Sequence, residues 1–258
     1  MQVFRGLHIS LGLAGRNLLL VRRIPSVFIP SLVMPLFILV ATAGAFRGIG
    51  ALPDFAGASY LAFTLPMAAT MGAGFAGVNS GMTLARDLEG GFFDRLQASP
   101  APRIALLAGP LLAAVARSLF TTTVVYAAAM LGGVRFPGLV DTVTVYALAA
   151  AFASVASLWA IGVALRTKSI QASPLMQVVV FMSVFTSVAY TPRSALRGWL
   201  AHVADWNPVT FVLEGARQAQ LSGITWDRLG PALLAIGTLV ALTGTFALSG
   251  LRRLDRNP

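Results

Sequence analysis

Between Arg86 and Arg103 the chain reads RDLEGGFFDRLQASPAPR, setting Asp87, Glu89 and Asp94 among Arg86, Arg95 and Arg103. Unlike charges beside Phe92 and Phe93 suit docking and the passing on of a push, not bond cleavage. Elsewhere the residue types for catalysis are sparse. His8 and His202 stand alone, with no His-Glu or His-His spacing for a metal and no Gly-x-Ser-x-Gly element for a hydrolase. The one lysine, Lys168, lies between Thr167 and Ser169, outside any Gly-Lys-Ser/Thr phosphate cradle, so ATP chemistry would need another polypeptide. Cysteine is absent, which removes disulfides, thiolate metal sites and a Cys nucleophile.

The elements that must position the charged segment are greasy. Of 258 residues, 57% are hydrophobic and 11% charged, with a mean hydropathy of +0.78. A soluble globule needs a wetter surface. Apolar runs near 26–46, 58–84, 104–131, 142–165, 172–190 and 229–250 reach the roughly 20 residues that cross a hydrocarbon core of about 30 Å. The alternating strands of about 10 residues that build a β-barrel are missing. The expectation is an all-α polytopic membrane protein with six transmembrane helices, folded as one domain over residues 1–258.

Ahead of the first run, Phe4, Leu7, Leu11, Leu18 and Val21 recur at roughly helical spacing, with Arg5, Arg16, Arg22 and Arg23 largely elsewhere. Residues 1–25 therefore read as a helix lying on the membrane surface and not as a cleaved signal. The excess of basic residues fixes an orientation. With both termini in the cytoplasm, the inner segments hold those arginines plus Arg86, Arg95, Arg103, Arg166, Lys168, Arg252, Arg253 and Arg256. The outer segments hold Arg47, Arg135, Arg193, Arg197, Arg217 and Arg228. Segment 86–103 is then cytoplasmic. The net charge of +10 is spread over many short stretches and forms no face for nucleic acid.

Asp87 is expected to cap a cytoplasmic helix with Glu89 in its first turn, where the dipole favours an acid. If that helix continues through Gly90 and Gly91, then Glu89, Phe92, Phe93 and Leu96 share a face. Those aromatics enter either a partner's groove or the protein's own spans. On the other side, residues 191–228 read as a short helical hairpin dipping into the outer leaflet. Leu196, Trp199, Leu200 and Val203 share one face there, Asn207 caps a second helix with Pro208 at its first position, and Glu214 and Arg217 are close enough to pair. Irregular backbone at that depth must be shielded by protein.

Arg117 falls near the middle of the third run, where a lone charge is expensive. Glu214 or backbone carbonyls are the available partners, and contact with substrate or headgroups is the alternative role. Asn79 and Gln177 are expected to hydrogen-bond within the bundle. Ala73, Gly77 and Gly81 form a small-residue row for close helix packing, within the chain or between copies.

The pattern acidic-Glu-Gly-x-Phe-Asp-Arg-Leu-x-x-x-Pro from Asp87 to Pro100, followed by Arg103, resembles type-2 ABC exporter permeases, most closely the daunorubicin-resistance branch. Trp206-Asn207-Pro208, with Glu214 and Arg217 beyond it, is similar to the stretch before the last span in that family. The six-run pattern extends the likeness over nearly the whole chain. Gly91 departs from it, since many relatives carry Thr or another residue there.

The resemblance implies a permease that performs no chemistry, a separate ATPase subunit binding ATP and Mg in two copies per complex, and a second permease copy or sister permease. It makes Asp87, Glu89, Phe92, Asp94, Arg95 and Leu96 candidates for coupling to the ATPase. Family analogy also favours Met67, Met71, Phe75, Met176, Phe181 and Phe185 as lining for a substrate pathway, against ordinary packing. A hydrophobic drug or lipid-like cargo suits such spans, and a polysaccharide or glycolipid is the alternative. An intramembrane enzyme lacks clustered titratable groups, and a passive channel has no use for the charged segment. The expected location is a bacterial cytoplasmic membrane.

Overall fold

The structure, a computed structural model, describes residues 25–46, 59–91 and 103–254, together with positions 12, 14, 15 and 48. The surface helix expected over residues 1–25 therefore falls almost wholly outside the described residues. What is described is helical: α1 (Pro25–Ala45), α2 (Tyr60–Glu89), α3 (Arg103–Leu131), α4 (Leu139–Thr167), α5 (Ser173–Phe185), α6 (Gly198–Trp206), α7 (Pro208–Leu221) and α8 (Trp226–Leu254). Short 3-10 turns at Ile170–Ala172 and Arg193–Ala195 join them. Four of these are long and apolar enough to cross a membrane: α2, α3, α4 and α8.

α2 is the central post, packing against α1, α3, α4, α5 and α7. Its small residues permit the closest approach, to α4. A Cβ added at Gly77 would lie 2.6 Å from that of Ala156, and one at Gly81 would meet Ala160 as tightly. Ser80 and Ser157 share a 2.6 Å hydrogen bond across the same seam. The small-residue row thus serves packing inside one chain. α8 leans on α4 and α7 and leaves most of its surface outward, as lipid contact allows.

α2 does not stop where a separate cytoplasmic helix was expected to start. It runs to Glu89, is capped at Gly90, and turns at Gly91 with φ 62°, a left-handed conformation that glycine adopts at little cost. Asp87 and Glu89 sit in its last turn and not in the first turn of a new helix.

The run expected as a fifth helix over 172–190 is also different. Its helix α5 has 13 residues, about 20 Å at 1.5 Å per residue, too short to cross alone. The segment nonetheless runs the length of α2. The N–H of Ile170 bonds Glu89 at one end, and the carbonyl of Tyr190 accepts the Tyr60 hydroxyl at the other. Beyond Phe185 the chain is turns, so carbonyls of the last turn of α5 and of the segment after it need donors.

Two side chains of the returning hairpin supply them. Asn207 donates through Nδ2 to the Ser183 carbonyl at 2.6 Å, while its Oδ1 accepts the Val209 N–H at 2.9 Å. It ends α5 and starts α7 at once, with Pro208 at the first helical position as expected. Arg217 lies buried over the Phe63 ring and donates to the carbonyls of Phe63, Val188 and Ala189. Non-helical backbone is thereby shielded by protein.

Candidate functional site

The candidate site is the junction at the end of α2. An acid in the last turn of a helix opposes the negative end of the dipole, so Glu89 needs donors from elsewhere. The turn between α4 and α5 provides them. α4 ends at Lys168, whose left-handed conformation (φ 50°) swings the chain out of the helix. Ser169 Oγ and the Ile170 N–H then both donate to Oε1 of Glu89, at 2.8 and 2.7 Å. Ser169 Oγ in turn accepts the Gln171 N–H at 3.1 Å. One exposed carboxylate thus ties the stub of the 86–103 segment to the next turn on the same side.

Arg166 secures the neighbouring contact. Its guanidinium lies 3.6 Å from the Phe246 ring centre and donates to the Phe246 carbonyl at 2.8 Å and to Ser249 Oγ at 2.6 Å, pinning the end of α4 to α8. Sequence reading counted Arg166 only towards charge balance. The ends of α2, α4 and α8 and the turn before α5 are therefore linked by side chains at one face of the bundle.

Of the coupling candidates, Asp87 is half-buried in the last turn of α2 and Glu89 is exposed at the junction. Phe92, Asp94, Arg95 and Leu96 lie outside the described residues.

The substrate-pathway candidates separate into two sets. Met67, Met71 and Met176 are closed into the core at 0–1% exposure. Phe75 and Phe181 are half-buried and meet with ring centres 4.4 Å apart, and Phe185, largely exposed, stacks on Tyr190. The structure brings the two phenylalanines of α2 and α5 together and keeps the methionines behind them.

Of the two kinds of partner expected for Arg117, Glu214 or backbone carbonyls, Glu214 is engaged elsewhere. Arg117 is buried on α3, and its Nε and one terminal nitrogen meet no hydrogen-bond partner among the described residues. Glu214 is held instead by Arg193, whose Nε is 3.2 Å from Oε1, and by Arg228, whose terminal nitrogen is 2.8 Å from Oε2. Glu214 makes its close ion pairs with these two and not with Arg217, whose Nε and one terminal nitrogen are given to carbonyls. Arg193 and Arg228 flank Glu214 from outside its helix, so spacing along α7 could not show them. Gln177 finds Met82 Sδ at 3.6 Å, a bond between α5 and α2.

Residues 11–221 match the family model described as ABC-2 type transporter. No curated protein matches the sequence significantly.

Proposed function

Since the chain belongs to the ABC-2 type transporter family, we propose that it is the membrane subunit of an ATP-driven exporter, moving a hydrophobic drug or lipid-like cargo away from the cytoplasmic side. α1, α2, α3, α4 and α8 cross the membrane, and the segment from Ile170 to Tyr190 crosses as a helix completed by turns. Both termini lie in the cytoplasm, so the Glu89 junction faces the ATPase. On the motif from Asp87 to Pro100, we place it with the daunorubicin-resistance branch.

The observation that carries this reading is the pair of hydrogen bonds that Glu89 accepts from the Ser169 hydroxyl and the Ile170 N–H. A push on the segment after Gly91 enters α2 and, through that carboxylate, the start of α5 as well. Those two elements carry Phe75 and Phe181, whose contact would open as α2 and α5 part. Substrate must be held differently in the two states, or ATP could not drive it. Two permeases and two ATPase subunits, the latter holding ATP and Mg, complete the machine.

The test is co-expression with an ATPase subunit, followed by purification and assay of ATP hydrolysis with apolar candidate substrates. Stimulation by substrate is expected in the wild type. Glu89→Ala is expected to keep the complex assembled while stimulation falls to the basal level. An E89A complex that still responds to substrate would remove Glu89 from the coupling route, and failure of any ATPase to co-purify would remove the exporter reading itself.

A further inference from the structure

At the opposite end of the bundle from Glu89, a cavity of about 520 Å³ opens between the turn after α5, the last half of α7 and the first turn of α8. Its lining includes Arg193, Arg217 and Arg228 against a single carboxylate, Glu214. Each of the two Glu214 oxygens engages one nitrogen, from Arg193 and from Arg228. A guanidinium carries five N–H donors in a rigid fork, so most of that capacity is unspent. One terminal nitrogen of Arg193 is buried with no partner among the described residues, and Asp205 reaches only the other, at 3.7 Å. Arg217 gives its Nε and one terminal nitrogen to neutral carbonyls, and the charge of the three guanidiniums falls on the single carboxylate of Glu214. The cavity is therefore short of negative charge and of acceptors.

Depth indicates the kind of anion. Trp199, Trp206 and Trp226 are each at least 72% exposed, on α6 and at the start of α8. Exposed tryptophans are enriched in the layer where headgroups meet water. Arginine forks match phosphate oxygens in pairs. We propose that this cavity binds the phosphate of an anionic phospholipid headgroup, held by Arg193 and Arg228 with Arg217 behind them. That the lipid comes from the outer leaflet rests on the orientation proposed above; the charge and shape of the cavity do not.

Ser222 lines the cavity and is exposed, and the chain has no native cysteine to interfere with a probe. In the full chain carrying Ser222→Cys, reconstituted in phosphatidylcholine vesicles, labelling by a neutral, membrane-impermeant maleimide is followed as phosphatidylglycerol is added. Phosphatidylglycerol is expected to slow labelling, and R193Q combined with R228Q is expected to demand about tenfold more of it for the same protection. E214Q should shift the response the other way, to less lipid, which a merely misfolded variant would not do. Equal protection of wild type and R193Q/R228Q, or no protection at all, would overturn the site. Inorganic phosphate protecting as well as the lipid would make the ligand a soluble anion and overturn the lipid assignment. Labelling only from the vesicle lumen of right-side-out protein, with lipid protection intact, would leave the site standing and sink the orientation.

Discussion

Arg217 reaches out of α7 to place a terminal nitrogen 2.8 Å from the carbonyl oxygen of Val188, which is itself wholly buried. The same side chain serves Ala189 and Phe63, so a single guanidinium satisfies the backbone where the chain leaves α5 and binds it to α2. A buried carbonyl without a donor costs about 1–3 kcal/mol, and Arg217 removes that penalty at more than one place.

Arg217→Ala is therefore expected to destabilise by at least about 2 kcal/mol. Arg217→Lys should recover only part of this, because an ammonium cannot match a planar fork spread over three carbonyls. Thermal unfolding in detergent micelles measures both. An R217A protein melting with the wild type would mean that these carbonyls find other donors.

Asn207 is expected to separate into two contributions. Asn207→Ala loses the cap on α7 and the bond to Ser183, for a cost of about 1–2 kcal/mol. Asn207→Ser keeps a capping oxygen but gives up the Nδ2 donor, and should fall between the two. The same melting assay decides, and N207S behaving as wild type would show that the Ser183 bond contributes nothing.

For Arg117 the sign reverses. Its Nε and a terminal nitrogen are buried with no partner among the described residues, so replacing it with Met should leave stability unchanged or higher, as when buried charge gives way to apolar packing of similar volume. A lower melting temperature for R117M would reveal a partner for Arg117, in a second copy or in a bound molecule. Loss of transport at unchanged stability would assign it to the substrate path.

The Gly90-Gly91 pair shows how far local reading carries. Composition, the apolar runs and the motif from Asp87 to Pro100 were enough to identify a helical membrane protein of this family, since crossing lipid imposes its length and hydrophobicity on each segment separately. The Asn207-Pro208 start of α7 was legible for the same reason, because capping is settled within a few residues. The end of α2 was misread: the acids that suit a helix start also tolerate a helix end when donors arrive from elsewhere, and those donors are 80 and 81 residues away.

Sequence alone determined the class of molecule, its apolar segments and which residues are too polar to be left unpartnered in lipid. Only the tertiary structure decided the partners: Glu89 with Ser169 and Ile170, Arg217 with the carbonyls beyond α5, Glu214 with Arg193 and Arg228. The reason is range. Helix formation and burial act over a few neighbours and leave a periodic trace, whereas a charge in a membrane bundle is satisfied by whichever group the packing of distant helices brings within about 3 Å, and no spacing along the chain encodes that.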